Sequence, residues 1–298
     1  MNDPGIKPLF ERVTLIGVGL IGSSIARALK NHNLASHISV TARTKKTLDI
    51  VRNLGLADNT TMDIVEAVKD SDLIILCTPL SAYKKIAQSI SSSLKTGSIL
   101  TDVGSCKNIM FNDVAPYIPK NVHIVPGHPV AGTEHSGPNA GYAELFNGRW
   151  CILTPSPDTN NFATSQVTKM WEHMGMEVAI MDASHHDKVL ALTSHLPHLI
   201  AYTIVGTATE LEDDLKKEIL KYSASGFRDF TRIASSDPVM WRDIFLKNKE
   251  AVLDVLGRFS EDLTSLQRAI RRGDGDRLEK HFNRTRAIRR GIIEAKQE

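Results

Sequence analysis

Residues 12–24, Arg-Val-Thr-Leu-Ile-Gly-Val-Gly-Leu-Ile-Gly-Ser-Ser, predict how the first half of the chain folds. The apolar, β-branched run 12–16 ends at a glycine cluster, as a buried strand does. Helical composition follows over residues 23–31. The stretch therefore indicates a strand, a glycine-rich turn and a helix, the opening unit of a dinucleotide-binding domain.

The turn itself is Gly17-Val-Gly-Leu-Ile-Gly22. Gly17 permits a tight turn, Gly19 lets the backbone approach a pyrophosphate, and Gly22 lets helix and strand pack closely. The free N–H groups at the helix N-terminus offer a positive dipole end to phosphates. We therefore expect cofactor contacts at the three glycines and at Leu20 and Ile21 between them.

Further strands alternate with helical segments along the first half of the chain. They are predicted over residues 37–41, 72–77, 98–101, 122–125, 150–153 and 177–181. Helical crossovers between strands imply a mostly parallel sheet covered on both faces. The predicted fold is therefore α/β, with a Rossmann-type doubly wound sheet over residues 1–182.

Strand signals stop near residue 182, and residues 183–298 are predicted to form an all-helical domain. Its amphipathic segments have no sheet to cover, so they need another surface to bury against. A homodimer built through this domain is the expectation.

Composition excludes several classes of protein. Thirty-six Lys and Arg residues against 34 Asp and Glu residues give a net charge of +2, whereas a nucleic-acid or membrane-surface binder needs a basic face. The three cysteines form no CxxC pair, so neither zinc nor a disulfide framework is indicated. The N-terminus lacks the pattern of a signal peptide, and no apolar run suggests a membrane span. A cytoplasmic protein is expected.

The end of the second strand bears on which dinucleotide binds. NAD-binding domains place an Asp or Glu there to bond the ribose 2′-OH, but residues 41–46 read Thr-Ala-Arg-Thr-Lys-Lys. Arg43 can pair with a 2′-phosphate, and Thr44 can donate a hydrogen bond. We predict NADP. In the alternative, Arg43 stacks on the adenine and both cofactors bind.

Three loops follow predicted strands and should meet at the carboxyl edge of the sheet. Thr78-Pro79-Leu80 is a candidate cofactor loop or a simple proline turn. Residues 102–107 carry Ser105, and residues 126–134 carry His128. Hydride loss from an alcohol carbon needs an acceptor for the hydroxyl proton, and neutral imidazole suits that task. A structural histidine is the alternative at this spacing.

Two polar clusters lie in the helical half. Ser194 and His198 are four residues apart on one helix face, and Pro197 between them should kink that helix. They are candidates for ligand contacts or for mutual hydrogen bonding. Arg228 and Arg232 are also four apart and can recognise a carboxylate, or else pair with a nearby aspartate.

Five motifs together resemble the prephenate/arogenate (cyclohexadienyl) dehydrogenase family over about residues 10–290. They are GVGLIGSS at 17–24, DVGSCK at 102–107, GHPVAGTEHSG at 127–137, TSHLPH at 193–198 and GFRDFTRIA at 226–234. The resemblance implies an NAD(P)-dependent oxidative decarboxylation that makes the tyrosine precursor. It also implies a helical dimerisation domain.

The resemblance also implies roles for named residues. His128 would accept the hydroxyl proton as hydride leaves the carbinol carbon, and Ser105 would align the same hydroxyl. Arg232, rather than Arg228, would pair with a substrate carboxylate. The remaining implied contacts are His198 and Ser194 lining the pocket, with Thr133 and Glu134 over its mouth.

Several alternatives stay open at this level. Prephenate and arogenate differ by one charge, and Glu134 would favour the arogenate ammonium only weakly. Tyrosine is expected to inhibit only at the active site. A β-hydroxyacid dehydrogenase or imine reductase would use Lys188 as its lysine, which leaves the His128 and Arg232 motifs unexplained. A non-catalytic NADP sensor would not need two polar loops at the nicotinamide.

Overall fold

A computed structural model describes residues 7–133, 135–210 and 225–294 of the chain. Its main sheet contains six parallel strands: β1 (Phe10–Ile16), β2 (Ala35–Thr41), β3 (Asn59–Thr61), β4 (Leu73–Leu76), β5 (Ile99–Asp102) and β6 (His123–Ile124). Their spatial order is β3-β2-β1-β4-β5-β6, so the strand order reverses between β1 and β4. Doubly wound sheets bind dinucleotides at that reversal. The α/β fold class expected from the sequence is confirmed.

Both faces of this sheet are buried, as the unbroken apolar runs predict. In β4, Leu73 and Ile75 belong to one hydrophobic cluster, and Ile74 and Leu76 belong to the other. Successive side chains on a strand point to opposite faces, so a fully apolar strand marks a sheet covered on both sides.

Helices cover the two faces. They are α1 (Leu20–Asn31), α2 (Lys45–Asn53), α3 (Ile64–Val68), α4 (Tyr83–Ile90) and α5 (Asn161–His173). The first begins three residues before the predicted start. Gly19 is extended, with φ −83° and ψ −155°, and the helix starts directly after it. The helix therefore begins within the glycine-rich stretch, and Gly22 is its third residue.

The sequence-based assignment of one continuous strand series is wrong in its last part. Gly127–Pro129 (β7), Trp150–Leu153 (β8) and Glu177–Ile180 (β9) form a separate three-stranded sheet. Its first pair is antiparallel, with His128 opposite Ile152, so His128 lies on a strand rather than in a loop. Apolar periodicity identifies a strand but carries no information about its partner.

The helical half comprises α6 (Ala183–Leu190), α7 (Leu196–Thr209), α8 (Ser225–Thr231), α9 (Pro238–Lys247), α10 (Lys249–Arg272) and α11 (Gly275–Glu294). The chain divides into two compact units, residues 1–249 and 250–298. The first unit therefore contains both the main sheet and α6 to α9. The domain boundary expected at residues 182 and 183 marks the change from strands to helices and stays a prediction.

One helical run, residues 183–208, is long and apolar enough to cross a membrane by length and composition alone. It joins α6 to α7 through a π-helical turn, Ala191–His195, which ends two residues before Pro197. A proline removes one helical hydrogen bond, and the wider turn accommodates that loss where a kink was expected. The run also contains buried His186, Asp187 and His195, whose hydrogen bonds tie it to the rest of the first unit.

Candidate active site

The glycine turn has the geometry that a dinucleotide requires. Gly17 has φ +90°, and a Cβ there would lie 2.8 Å from Thr78 Cγ2. A Cβ on Gly22 would lie 2.7 Å from the Gly17 carbonyl oxygen, whereas a Cβ on Gly19 would meet nothing within 4 Å. Two glycines thus allow backbone to approach backbone, and the third faces open space. That division matches the three roles of glycine in a pyrophosphate-binding turn.

The N-terminus of α1 is left without a protein cap. Gly19 has no side chain to cap the helix, and the first turn contains no acidic residue. Ser23 uses its hydroxyl on the Gly19 carbonyl oxygen, at 2.7 Å, and not on the free amides. The uncapped helix N-terminus at Leu20 and Ile21, where both residues are half-buried, therefore suits a phosphate. Thr78, against Gly17, has a buried hydroxyl without a hydrogen-bond partner in the described residues.

The loop after β2 has the basic character that the sequence indicates. Arg43 is exposed, and it makes no ion pair within the described part of the chain. Thr44 caps α2, because its Oγ1 accepts from the Thr47 amide at 3.2 Å and lies 2.8 Å from Thr47 Oγ1. Its hydroxyl is thus already engaged, whereas the guanidinium of Arg43 remains available for a ligand.

A buried ion pair joins the Ser105 loop to the His128 strand. Lys107 and Asp102 have fully buried side chains, and Lys107 Nζ lies 2.6 Å from both carboxylate oxygens. Lys107 Nζ also donates to the Gly127 carbonyl, and Gly127 N donates to Asp102 Oδ1 at 3.1 Å. Tyr83 donates its hydroxyl to Asp102 as well, at 3.0 Å. These bonds hold the ends of β5 and β7 together.

His128 is buried and bonded to a second histidine from the helical half. Its Nδ1 lies 2.8 Å from His186 Nε2, and His186 Nδ1 lies 2.8 Å from Asp187 Oδ1. Burial, reinforced by the charges of His186 and Lys107, holds the pKa of His128 well below its usual value. Its imidazole is therefore neutral near pH 7 and can accept a proton.

Asp187 also anchors the Ser105 loop. Its carboxylate accepts from Lys107 N at 2.7 Å, from Asn108 N at 3.0 Å and from Asn108 Nδ2 at 2.9 Å. Burial acts to raise the pKa of Asp187, but the hydrogen bonds from His186, Lys107 and Asn108 hold it below its ordinary value. This carboxylate is ionised at neutral pH and connects both candidate catalytic segments.

A second polar group lies farther along the same helical run. His198 is half-buried, its Nδ1 donates to the Ser194 carbonyl at 2.8 Å, and its ring stacks on Trp241 at 3.7 Å. Arg232 is exposed at the start of the 3₁₀ turn Arg232–Ser235. Burial lowers the pKa of His198, the Ser194 bond opposes that shift, and the nearby positive charge of Arg232 lowers the pKa further. A neutral imidazole and a guanidinium thus neighbour each other.

The remaining predicted site residues have varied surroundings. Ser105 is half-buried, two residues before Lys107, and Leu80 is buried in the core, so only its backbone can reach a cofactor. Thr133 is exposed, and its hydroxyl accepts from the His135 amide at 3.3 Å. Glu134 lies outside the described residues.

Sequence reasoning missed several polar partners. His186 and Asp187 open the helix that bears the TSHLPH motif, but nothing in their spacing indicates a bond to residue 128. Asn248 was also missed: it lies between α9 and α10, and its Nδ2 donates to the Asp187 carbonyl at 2.7 Å and lies 3.1 Å from His195 Nδ1. Lys107 and Asp102 were visible within the DVGSCK motif, where a Lys and an Asp five residues apart near buried strands suggest an ion pair.

Two family models match successive parts of the chain. The model described as prephenate dehydrogenase, nucleotide-binding domain, matches residues 25–180. The model described as prephenate dehydrogenase, dimerization domain, matches residues 182–284. Together they span β2 to β9 and most of the helical half, whereas β1 and the glycine turn precede the first match.

Curated relatives and a solved structure carry the names of the family that the two family models describe. The chain is 43% identical to a cyclohexadienyl dehydrogenase of Zymomonas mobilis over 94% of this chain and 96% of that protein. It is 31% identical to a prephenate dehydrogenase of Bacillus subtilis over 95% and 76%, respectively. A crystal structure of prephenate dehydrogenase from A. aeolicus, in complex with hydroxyphenyl propionate and NAD+, superposes with a TM-score of 0.87 at 33% identity over 95% of this chain and 98% of that one.

Proposed function

The chain belongs to the prephenate dehydrogenase family, and from that membership we propose that it oxidatively decarboxylates prephenate, arogenate or both, with His128 as the base. It is an NAD(P)-dependent oxidoreductase of tyrosine biosynthesis. The observation that carries the assignment of the base is a neutral, buried imidazole with one nitrogen held by His186. The other nitrogen, Nε2, has no hydrogen-bond partner in the described part of the chain and serves the substrate hydroxyl.

The glycine turn and the N-terminus of α1 would hold the pyrophosphate, and Thr78 would lie beside the cofactor. A bound nicotinamide would supply the acceptor for the hydride that leaves the carbinol carbon. His128 Nε2 takes the hydroxyl proton at the same stage, and Ser105 orients that hydroxyl. The bond between the ring and its carboxylate then breaks and carbon dioxide leaves. The released electron pair aromatises the ring, and the former hydroxyl oxygen takes a proton back from His128.

Replacing His128 with Asn tests this assignment. General-base catalysis contributes about 10²- to 10⁴-fold, so the kcat of His128→Asn should fall within that range. The dissociation constant for NADP should stay near that of the wild type, because the imidazole faces the substrate. Absorbance of the reduced nicotinamide with prephenate and with arogenate measures turnover. Wild-type turnover in the variant would remove His128 from the role of base.

Arg232 is proposed to bind a substrate carboxylate, with His198 and Ser194 lining the same pocket and Thr133 and Glu134 at its mouth. Arg232→Ala should chiefly raise the substrate KM, because a ground-state ionic contact is lost. An unchanged KM for both substrates would contradict this role.

We propose that NADP binds better than NAD, because the exposed Arg43 follows β2 where an acid would select NAD. Arg43→Ser should raise the KM for NADP about tenfold, which corresponds to ~1.4 kcal/mol, and should leave the KM for NAD nearly unchanged. Arg52→Ser is the matched control, because Arg52 is ion-paired with Asp49 on α2. A lower KM for NAD than for NADP in the wild type would overturn the preference.

The homodimer is proposed through the helical half, since the second family model describes a dimerization domain. Inhibition by tyrosine is proposed to be competitive at the active site, and a cytoplasmic location stays a prediction. The rival assignment to a lysine-dependent β-hydroxyacid dehydrogenase is disfavoured because Lys188 is exposed, whereas its neighbours His186 and Asp187 are buried.

A further inference from the structure

We propose that His186 is a positioning residue that, with Asp187, fixes the tautomer of His128 so that Nε2 is the proton-accepting nitrogen. The three side chains form a buried chain of two hydrogen bonds, each 2.8 Å long. This inference rests on the proposed role of His128. It assigns a role to His186, 58 positions farther along the chain, and to the adjacent Asp187.

The positions of the protons follow from the acceptor at the end of the chain. Asp187 takes its other hydrogen bonds from N–H donors of Lys107 and Asn108, so its carboxylate is an acceptor throughout. His186 Nδ1 must therefore donate to Asp187, which leaves Nε2 of a neutral His186 as an acceptor. His128 Nδ1 then donates to that acceptor, and the lone pair of a neutral His128 lies on Nε2.

The rigidity of the arrangement follows from burial. His186 is fully buried, Asp187 is 3% exposed, and the His128 and His186 rings meet edge to face with centroids 5.1 Å apart. The two hydrogen bonds within the chain favour one arrangement of protons, because an unpaired buried donor costs about 1–3 kcal/mol. The opposite tautomer of His128 would leave His186 Nε2 facing another lone pair.

The same carboxylate couples the two candidate catalytic groups. Asp187 holds the Ser105 loop through the Lys107 and Asn108 amides and holds His128 through His186. When His128 takes a proton, the ionised Asp187 stabilises the resulting imidazolium electrostatically, across the intervening His186. The established logic of catalytic triads assigns the carboxylate this orienting and charge-stabilising task.

Titration of His128 reflects every charged group around it. His186 acts on it from α6, Lys107 from the Ser105 loop and His195 from the π-helical turn. The charges of Asp187 and Asp102 act on His186. Replacing His186 therefore removes only one of several groups that influence the pKa of His128. The test should read the tautomer as well as the rate.

The kinetic test compares His186→Phe with His186→Gln, and uses His185→Phe as the matched control on the exposed neighbouring position. His186→Phe should lower kcat about 10²- to 10³-fold, and the substrate KM and NADP affinity should stay within about threefold. His186→Gln should recover at least about tenfold, because its amide oxygen can accept the Nδ1 proton of His128. His185→Phe should match the wild type. Equal losses in the Phe and Gln variants would overturn the proposal.

A double variant separates positioning from simple structural damage. Adding His186→Phe to His128→Asn should cause no further loss of turnover, since His186 acts through His128. A further loss would show a separate structural role and overturn the inference. If His128→Asn is inactive and His186→Phe retains wild-type kcat, the inference fails and the proposed function stands. If His128→Asn retains turnover, the proposed function itself fails.

The tautomer can be read without any variant at residue 186. In protein labelled with ¹⁵N-histidine, two-bond ¹H–¹⁵N spectra at neutral pH should show His128 protonated at Nδ1 and unprotonated at Nε2, with His128→Asn assigning the signals. Protonation at Nε2 would overturn the proposal, even if His186→Phe does not fold.

Discussion

The glycine turn and the buried histidine chain are built in opposite ways. The turn uses contiguous residues, Gly17–Gly22, and depends on backbone conformation and on the absence of side chains. The chain uses residues from β7 and α6, and depends on polar side chains that are desolvated together. One site is formed by local geometry, and the other by the packing of distant segments.

This difference implies different sensitivities. A local turn tolerates changes elsewhere in the protein but not a Cβ in the wrong place. A buried polar network is instead sensitive to the loss of any one partner, because each lost partner leaves a desolvated charge or donor. Three predictions test the contrast.

The largest effect on stability is expected at the buried ion pair between Lys107 and Asp102. Lys107→Met leaves Asp102 as a buried, uncompensated carboxylate, so the free energy of unfolding should fall by about 3–5 kcal/mol. Urea denaturation at pH 7 measures this change.

The double variant Lys107→Met/Asp102→Asn is the control, because it removes the stranded charge and should recover part of the lost stability. A loss below about 1 kcal/mol in Lys107→Met would mean that the pair contributes no more than a surface ion pair does.

The second prediction concerns pH. Burial lowers the pKa of His195 to about 4, and burial also lowers the pKa of His128 and of His186. Between about pH 6.5 and pH 4 the unfolded chain binds more protons than the folded chain, so stability falls as the pH falls. His195 alone should account for about 3 kcal/mol of this loss.

Urea denaturation at pH 7 and at pH 4.5 checks the prediction. His195→Gln should flatten the pH dependence, whereas His185→Gln, at an exposed position, should not. A stability that is constant over this range would show that the buried histidines titrate normally in the folded protein.

The smallest effect on stability is expected in the glycine turn, and it should separate neighbouring glycines. Gly22→Ala places a Cβ 2.7 Å from the Gly17 carbonyl oxygen and should cost about 1–3 kcal/mol of stability. Gly19→Ala meets nothing in the protein, so stability should stay within about 0.5 kcal/mol of the wild type.

Dinucleotide affinity should nevertheless fall in Gly19→Ala, because the added methyl group occupies the space that the pyrophosphate needs. Titration of intrinsic fluorescence with NADPH measures this affinity. Unchanged binding would place the pyrophosphate elsewhere.

The sequence was sufficient for much of the fold. Residues 10–16, 35–41 and 73–76 are strands because short apolar runs between turn residues have few other stable conformations. The glycine turn was predicted because its requirements, a positive φ and missing Cβ atoms, are properties of single residues. The candidates Ser105, His128 and Arg232 were identified because they lie in sequence motifs that resemble those of the family.

Only the tertiary structure decided how those pieces pair. His128, expected in a loop, lies on a strand of the second sheet, opposite Ile152. Its side chain is hydrogen-bonded to His186. The tertiary structure also made Asp187 the common acceptor for the Ser105 loop and His186, which joins the two candidate catalytic segments. Local preferences are carried by neighbouring residues and can be read from the sequence, whereas the choice of a hydrogen-bond partner depends on which polar groups are removed from water together when the chain folds.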